Sequence, residues 1–185
     1  DSSTSRGLGD VYKRQAYRLG RLTLAHDGRI GAGGIVISAP NVVFAEHGLQ
    51  PAMLSPLVAD FIQSPVQGSV GFEGRFDWTK DAEPTSSGRL TTPGLDFVSP
   101  AGAVKGLKGD VAFTSLTPLI TAPNQRLTAD SLSVGAEVTA LDLTFSIDQA
   151  GIVIDGAQIV AGGGSISIEP LTIPLDATQA LSLIH

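Results

Sequence analysis

The sequence has 185 residues, of which 42% are hydrophobic and only 16% are charged, a composition that argues against a disordered chain. It contains no cysteine, which excludes disulfides, thiolate metal sites and cysteine nucleophiles. Its 12 basic and 18 acidic residues give a net charge of -6, and the basic residues are scattered singly, which disfavours nucleic-acid binding because phosphate neutralisation needs a basic stripe.

The two ends of the chain lack the pattern of its middle. DSSTSRGLGDVYKRQ (1–15) has no regular apolar period, and both it and LSLIH (181–185) are typical of translated non-native sequence. We therefore expect a non-native or disordered tail at 1–15, a single β-rich domain at 16–180 that is a fragment of a larger chain, and a non-native tail at 181–185. A native disordered tail and an ordinary last strand are the alternative.

The first regular signal is a β-hairpin in RLTLAHDGRIGAGGIVIS (21–38). Apolar residues alternate around Leu24 and again around Ile35, with Asp27-Gly28 between the two runs. An Asp-Gly pair in this setting is a strong signal for a tight turn between antiparallel strands.

The segment GLQPAMLSPLVADFIQ (48–63) is the helical candidate. Its apolar residues, including Leu54, Leu57 and Phe61, follow a helical stripe. Because Pro56 falls inside this stripe and cannot donate a helical hydrogen bond, the pattern predicts one short or broken helix.

Alternating strands follow the helical candidate. GSVGFEGRFDW (68–78) puts Val70, Phe72, Phe76 and Trp78 on one face and Glu73, Arg75 and Asp77 on the other, with Gly74 marking a bend or bulge. KDAEPTSSG (80–88) is expected to be a turn, and strands are expected in RLTT (89–92), LDFVS (95–99) and GDVAFTSL (109–116). The proline-containing segment 117–135 is expected to connect these strands to the next one.

The clearest strand is LDLTFSI (141–147), whose apolar residues alternate with Asp142, Thr144 and Ser146. DQAG (148–151) is expected to join it to an antiparallel return strand in IVIDGAQIV (152–160), and GGGSISIEPLTIPL (162–175) supplies one or two more. About eight to ten short strands with one short helix indicate an antiparallel, mainly β fold.

No catalytic or metal-binding motif stands out. His26, His47 and His185 share no metal-ligand spacing. The glycine runs GAGG (31–34) and GGG (162–164) neither complete a phosphate-binding motif nor open a helix. The aspartates sit singly, so no local carboxylate pair favours an enzyme. The sequence therefore predicts no catalytic residue, no metal and no cofactor.

The apolar faces of these strands need a partner. Burying the four apolar side chains of residues 141–147 contributes roughly 6 to 12 kcal/mol before entropy is counted. They will therefore not remain in water. Two arrangements are open at this point: a closed core within the chain, or a curved sheet whose apolar concave face receives something from outside.

The order of several strand and turn motifs resembles the C-terminal region of the YdbH family, a branch of the AsmA-like intermembrane lipid transport proteins of Gram-negative bacteria. The matching pieces are a strand and turn at Gly109, Val111, Phe113, Leu116, Pro118 and Leu119, a T-x-P-x-Q turn at Thr121, Pro123 and Gln125, and an ending at Gly163, Gly164, Ile166, Ile168 and Pro170. The strand at 68–78 also suits the family.

The resemblance implies an antiparallel curved sheet that forms an open apolar groove, a trough folded lengthwise, carrying phospholipid acyl chains between the inner and outer membranes. It implies a periplasmic location, an inner-membrane anchor elsewhere in the full-length protein, and contacts with outer-membrane-associated or periplasmic envelope proteins. The candidate groove residues are Val70, Phe72, Phe76, Trp78, Val111, Phe113, Leu141, Leu143, Phe145, Ile147, Ile152, Ile154, Ile166 and Ile168.

Two other functions are weighed against lipid transport. The family region has also been labelled a dicarboxylate transport domain, but that cargo would need arginines on an inward face, and Arg75 and Arg126 are expected on polar faces or loops. The alternative is a structural or adhesive β-domain with a closed core and no ligand. It predicts that residues 141–147 face a second sheet of the same chain.

Overall fold

The computed structural model describes residues 17, 19–54, 62–100, 102–133 and 137–174. In these residues the chain forms one antiparallel sheet of 11 strands and a short helix, α1 (Pro51–Leu54). The strands are β1 (Arg21–Asp27), β2 (Ala32–Phe44), β3 (Gln63–Thr79), β4 (Ala82–Ser99), β5 (Gly102–Leu116), β6 (Leu119–Thr121), β7 (Gln125–Ser133), β8 (Glu137–Ile147), β9 (Ile152–Ala161), β10 (Gly164–Ile168) and β11 (Leu171–Ile173). The two expected tails lie outside the described residues.

Strands that follow one another in the chain are mostly neighbours in the sheet. The order is β1-β2-β3-β4-β5-β7-β8-β9-β10, with β6 beside the end of β5 and β11 beside β9. Extensive contacts between strands occur only between sheet neighbours. The described part of the chain is therefore a single open layer, and the predicted antiparallel β fold with one short helix is confirmed.

Several strands are longer than the sequence pattern predicts. KDAEPTSSG is not a turn, because only Lys80 and Asp81 turn and β4 already begins at Ala82. The strands predicted in RLTT and LDFVS are likewise one continuous strand, interrupted only by a register shift. Pairing with the long strand β3 decides both cases, since hydrogen bonds to a neighbouring strand override weak local propensity.

The segment 117–135 is more than a connection. It contains β6 and β7, which both pair with β5: β6 along Phe113–Leu116 and β7 along Ala103–Asp110. The two short strands therefore lie end to end along the same edge of β5, a position called the lane of β6 and β7 here. The two strands are hard to recognise in the sequence because Pro118 precedes β6 and Pro123 separates β6 from β7.

Two of the other expected turns are confirmed. The first hairpin turns at residues 28–31 and the connection DQAG turns at residues 148–151. The helical candidate begins as the short helix α1, whereas Pro56 and Leu57 lie outside the described residues.

A line of β-bulges crosses the sheet. Extra residues lie at 40–41 in β2, at 92–94 in β4, at 105–106 in β5 and at Ala140 in β8. The register brings these positions next to one another. A bulge bends its strand and increases the local twist, so the aligned bulges divide the sheet into two parts. The end beyond them, where β2 finishes and β3 begins, is called the bulged end here.

An apolar cluster covers the bulged end. It consists of buried residues Val42, Phe44, Leu49, Val66 and Leu95. Leu49 belongs to the connection between β2 and β3, so this connection folds back over the sheet. Val66 is the most deeply buried of them, with 1% of its surface exposed.

Gly106→Ala should lower the free energy of unfolding by about 1 to 3 kcal/mol. Gly106 has a φ of 63°, and an added Cβ would lie 2.1 Å from Oδ2 of Asp130. Urea unfolding followed by the fluorescence of Trp78 measures the change. Gly156→Ala is the control, because an added Cβ there meets no atom within 4 Å. Equal losses in the two variants would contradict the role of Gly106 in the bulge.

Candidate functional site

Strand register gathers the apolar side chains on one face of the sheet. Residues opposite each other in antiparallel strands point to the same side. One row crosses Ala39, Phe72, Leu90 and Val111, and another crosses Leu127, Leu143, Ala157 and Ile168. Together with the alternation along each strand, the register places every candidate groove residue on this side, which is called the apolar face here.

The same register accounts for each remaining candidate. On β3, Trp78 lies opposite Gly33, Phe76 opposite Ile35 and Val70 opposite Val42. On β5, Phe113 lies opposite Thr121. The pairs of β8, β9 and β10 are Leu141 with Ile159, Phe145 with Ile154, Ile147 with Ile152, and Ile166 with Ile159. Val70 packs against the cluster at the bulged end.

Exposure on the apolar face varies from its centre to its edges. Val111 and Phe145 at the centre are only 4% and 6% exposed, whereas Leu22 and Leu24 on the edge strand β1 are 64% and 60% exposed. Ile166 on the opposite edge strand is also exposed. An apolar surface of this extent is unusual for a soluble protein and indicates an interaction site.

The sequence pattern missed part of the apolar face. Residues that share it but were not among the candidates include Leu22, Leu24, Ile35, Ile37, Leu90, Leu127 and Ile159. The alternation in β1 and β2 was visible in the sequence. Leu127 was missed because β7 was not predicted, although apolar residues alternate at the start of QRLTADSLS.

The opposite face, called the polar face here, carries alternating charges. Arg89 pairs with Asp110 across β4 and β5, and Arg126 pairs with Asp142 across β7 and β8. Asp110 also lies directly opposite Arg126, so the charges follow one another across four strands. Cross-strand pairs of opposite charge stabilise a sheet and favour one register.

Two buried polar side chains lie on the apolar face where the lane of β6 and β7 is interrupted. Oε1 of Gln125 accepts a hydrogen bond from the backbone N–H of Ala112 at 2.7 Å, and its Nε2 donates to the carbonyls of Ala122 and Pro123. Oγ1 of Thr121 accepts from the N–H of Ile147 at 2.8 Å. These side chains replace strand-to-strand hydrogen bonds that the interruption removes.

A protein-family model described as YdbH-like, intermembrane phospholipid transport protein YdbH, matches residues 12–184. The match covers nearly the whole chain. The chain belongs to the YdbH-like family. No curated protein and no solved structure gives a significant match.

Part of the motif that carried the YdbH resemblance now has a structural explanation. In the T-x-P-x-Q turn, Thr121 joins β6 to β8 and Gln125 joins β7 to β5. Both are buried. This part of the motif therefore maintains the sheet of the YdbH-like chain and exposes no polar group on its apolar face.

Arg75 and Arg126 of this YdbH-like chain are directed away from the apolar face. Arg75 pairs with Asp77 at 2.5 Å, and Arg126 pairs with Asp142. A hydrogen bond from Arg126 lowers the pKa of the Asp142 carboxyl below its usual value, and Arg75 does the same for the pKa of Asp77. Both guanidinium groups thus have carboxylate partners on the polar face, where the sequence pattern predicted them.

The polar face also holds shallow depressions. One of about 460 Å³ is lined by Glu73, Arg75 and Arg89 together with neighbouring residues of β2, β3 and β4. It lies between long charged side chains and is open to solvent. In the described residues no group of three or more histidine, aspartate or glutamate side chains could hold a metal ion, and the described helix is too short to cross a membrane.

Gln125→Leu should lower the free energy of unfolding by about 1 to 3 kcal/mol, because it leaves a buried backbone N–H and two carbonyls without their partner. Chemical denaturation measures the difference. Gln158→Leu is the matched control on the exposed polar face, and it should change stability by no more than about 0.5 kcal/mol. A loss as small as that of the control would contradict the bridging role.

Asp142→Asn should destabilise the protein near neutral pH but not in strong acid. Because the folded-state pKa of Asp142 is lowered, its contribution to stability is present above the unfolded pKa of about 4 and is lost as pH falls through the folded pKa. Unfolding curves of both proteins, recorded from about pH 7 downward, should therefore differ at neutral pH and approach each other as the pH falls through the folded pKa of Asp142.

The control for this pH series is Asp155→Asn, at an exposed position of β9. It should show a smaller difference at neutral pH, since Asp155 takes part in none of the ion pairs described for the polar face. A gap between the wild type and Asp142→Asn that persists unchanged in acid would show that its cause is not the carboxylate charge.

Proposed function

We propose that the apolar face binds the acyl chains of phospholipids, and that this chain is a periplasmic segment of a protein that moves phospholipid between the inner and outer membranes. The observation that carries this proposal is the continuous apolar face of a single open sheet, in a chain that belongs to a family of intermembrane phospholipid transport proteins.

The chemistry of the apolar face suits an acyl chain. Each buried methylene contributes about 0.8 kcal/mol through the hydrophobic effect, and this attraction has no preferred direction. A lipid tail could therefore be held by Leu, Ile, Val and Phe side chains alone and could slide along them. Buried polar side chains such as Gln125 do not interfere, since their hydrogen bonds are already made within the sheet.

The polar face suits the aqueous periplasm. Its arginine, lysine and aspartate side chains pair with one another and stay exposed. With water on this side and lipid on the other, each face of the sheet would have a compatible environment. We place the anchor of the full-length protein in the inner membrane and its protein partners among the outer-membrane-associated and periplasmic envelope proteins.

The alternative is a structural or adhesive β-domain with a closed core. That arrangement requires a second layer over Leu143, Phe145 and their neighbours. The described residues form one open sheet, and the ion pair of Arg126 with Asp142 lies on the opposite side of these strands. The open sheet therefore favours lipid binding over a closed core.

A photo-crosslinking amino acid at Phe113, in the full-length protein expressed in cells, should capture phospholipid. The matched position is Thr144, which is half-buried like Phe113 but lies on the polar face. Mass spectrometry of the crosslinked adducts should find lipid at position 113 and little at position 144. Labelling at position 144 alone, or at neither position, would contradict the proposal.

A further inference from the structure

A connecting segment packs on the apolar face at the bulged end. There, Leu49 is 5% exposed and packs into the cluster with Phe44 and Val66. On the edge strand β1, side chains of the same face such as Leu24 are exposed to solvent. The apolar face is thus covered by a connecting segment at the bulged end, whereas its edge stays exposed.

The covering segment consists of residues 45–54, which follow β2 and include α1; it is called the cap here. One side chain fastens it to the sheet. Nε2 of Gln50 donates to the carbonyl of Ala45 at 2.7 Å and to the carbonyl of Val66 at 3.1 Å, and Oε1 of Gln50 accepts from the N–H of Val66 at 2.8 Å. Gln50 therefore joins the cap to the backbone of Val66 near the start of β3.

The attachment of the cap differs from that of a strand. The described cap residues add no rung to the sheet ladder, and the backbone hydrogen bonds within the cap are short-range, from Ala45 to Leu49, from Gly48 to Ala45 and from Met53 to Gln50. Among the described residues, its contacts with the sheet include the apolar packing of Leu49 and the hydrogen bonds of Gln50. Both are local and can be altered without disturbing strand pairing.

We infer that the cap closes one end of the apolar face to acyl chains, with Gln50 as the residue that holds it in place. The inference rests on the proposed lipid-binding function. It limits the lipid-binding part of the apolar face to the area between the line of bulges and the hairpin turns at residues 28–31 and 80–81. Val70, which packs against the capped cluster, then belongs to the closed end and does not contact lipid.

Two phenylalanines provide a matched test. Phe76 in β3 and Phe97 in β4 are both half-buried and both on the apolar face. Phe97 packs against the capped cluster, whereas Phe76 lies on the other side of the bulges, towards the hairpin turn at residues 28–31. A benzophenone amino acid at each position in the full-length protein should crosslink phospholipid strongly at position 76 and only weakly at position 97.

Gln50→Glu should shift this pattern while it keeps the size of the side chain. The carboxylate can still accept from Val66 but can no longer donate to the two carbonyls, and the loss of two hydrogen bonds should raise the population of the detached cap by about tenfold or more. Lipid crosslinking at position 97 should rise accordingly, with position 76 unchanged. Gln63→Glu, at an exposed position of β3, is the control and should leave both yields unchanged.

The outcomes separate the two proposals. Equal lipid crosslinking at positions 76 and 97 in the otherwise unaltered protein would overturn the cap and leave lipid binding intact. No lipid at either position would overturn lipid binding itself. A Gln50→Glu protein that remains folded by circular dichroism, yet shows no rise at position 97, would overturn the role of Gln50.

Discussion

Strand register is the constraint on which both faces of this sheet depend. Side chains alternate with a period of two, so a shift of one residue in any strand would carry its whole apolar set to the other side. Cross-strand ion pairs favour this register on the polar face, where Arg89 pairs with Asp110 and Arg126 pairs with Asp142. The same register keeps Phe72, Leu90 and Val111 in one row on the apolar face.

Long strands twist, and the pairing between the strands of this sheet is interrupted in places. At each interruption the buried backbone groups still need hydrogen-bond partners. Three buried polar side chains meet this need. Thr92 donates to the carbonyl of Ser69 at the bulge of β4, while Thr121 and Gln125 bridge the interrupted lane of β6 and β7. Every buried polar side-chain atom of the described residues has a hydrogen-bond partner. Side chains thus supply hydrogen bonds where the strand pairing is irregular.

The separation of apolar and charged side chains onto two faces connects the fold to the function of the YdbH-like family. If a second layer packed on the sheet, the apolar surface would be buried in the protein's own core. In this chain a connecting segment packs on the apolar face at the bulged end, where Leu49 and Val66 are buried, while edge side chains of the same face such as Leu22 and Leu24 stay exposed. In the proposed function the apolar face binds lipid without a catalytic group, because apolar contact suffices to hold an acyl chain.

The sequence by itself determined the features that are local. The alternation in LDLTFSI and GSVGFEGRFDW predicted which side chains share a face, and Asp27-Gly28 predicted the first turn. Only the tertiary structure decided which strands pair: it made residues 82–88 part of β4, revealed β7, and aligned the bulges. Those features depend on hydrogen bonds between residues far apart in the chain. No local pattern could have shown that Gln125 bridges strands or that Gln50 holds the cap.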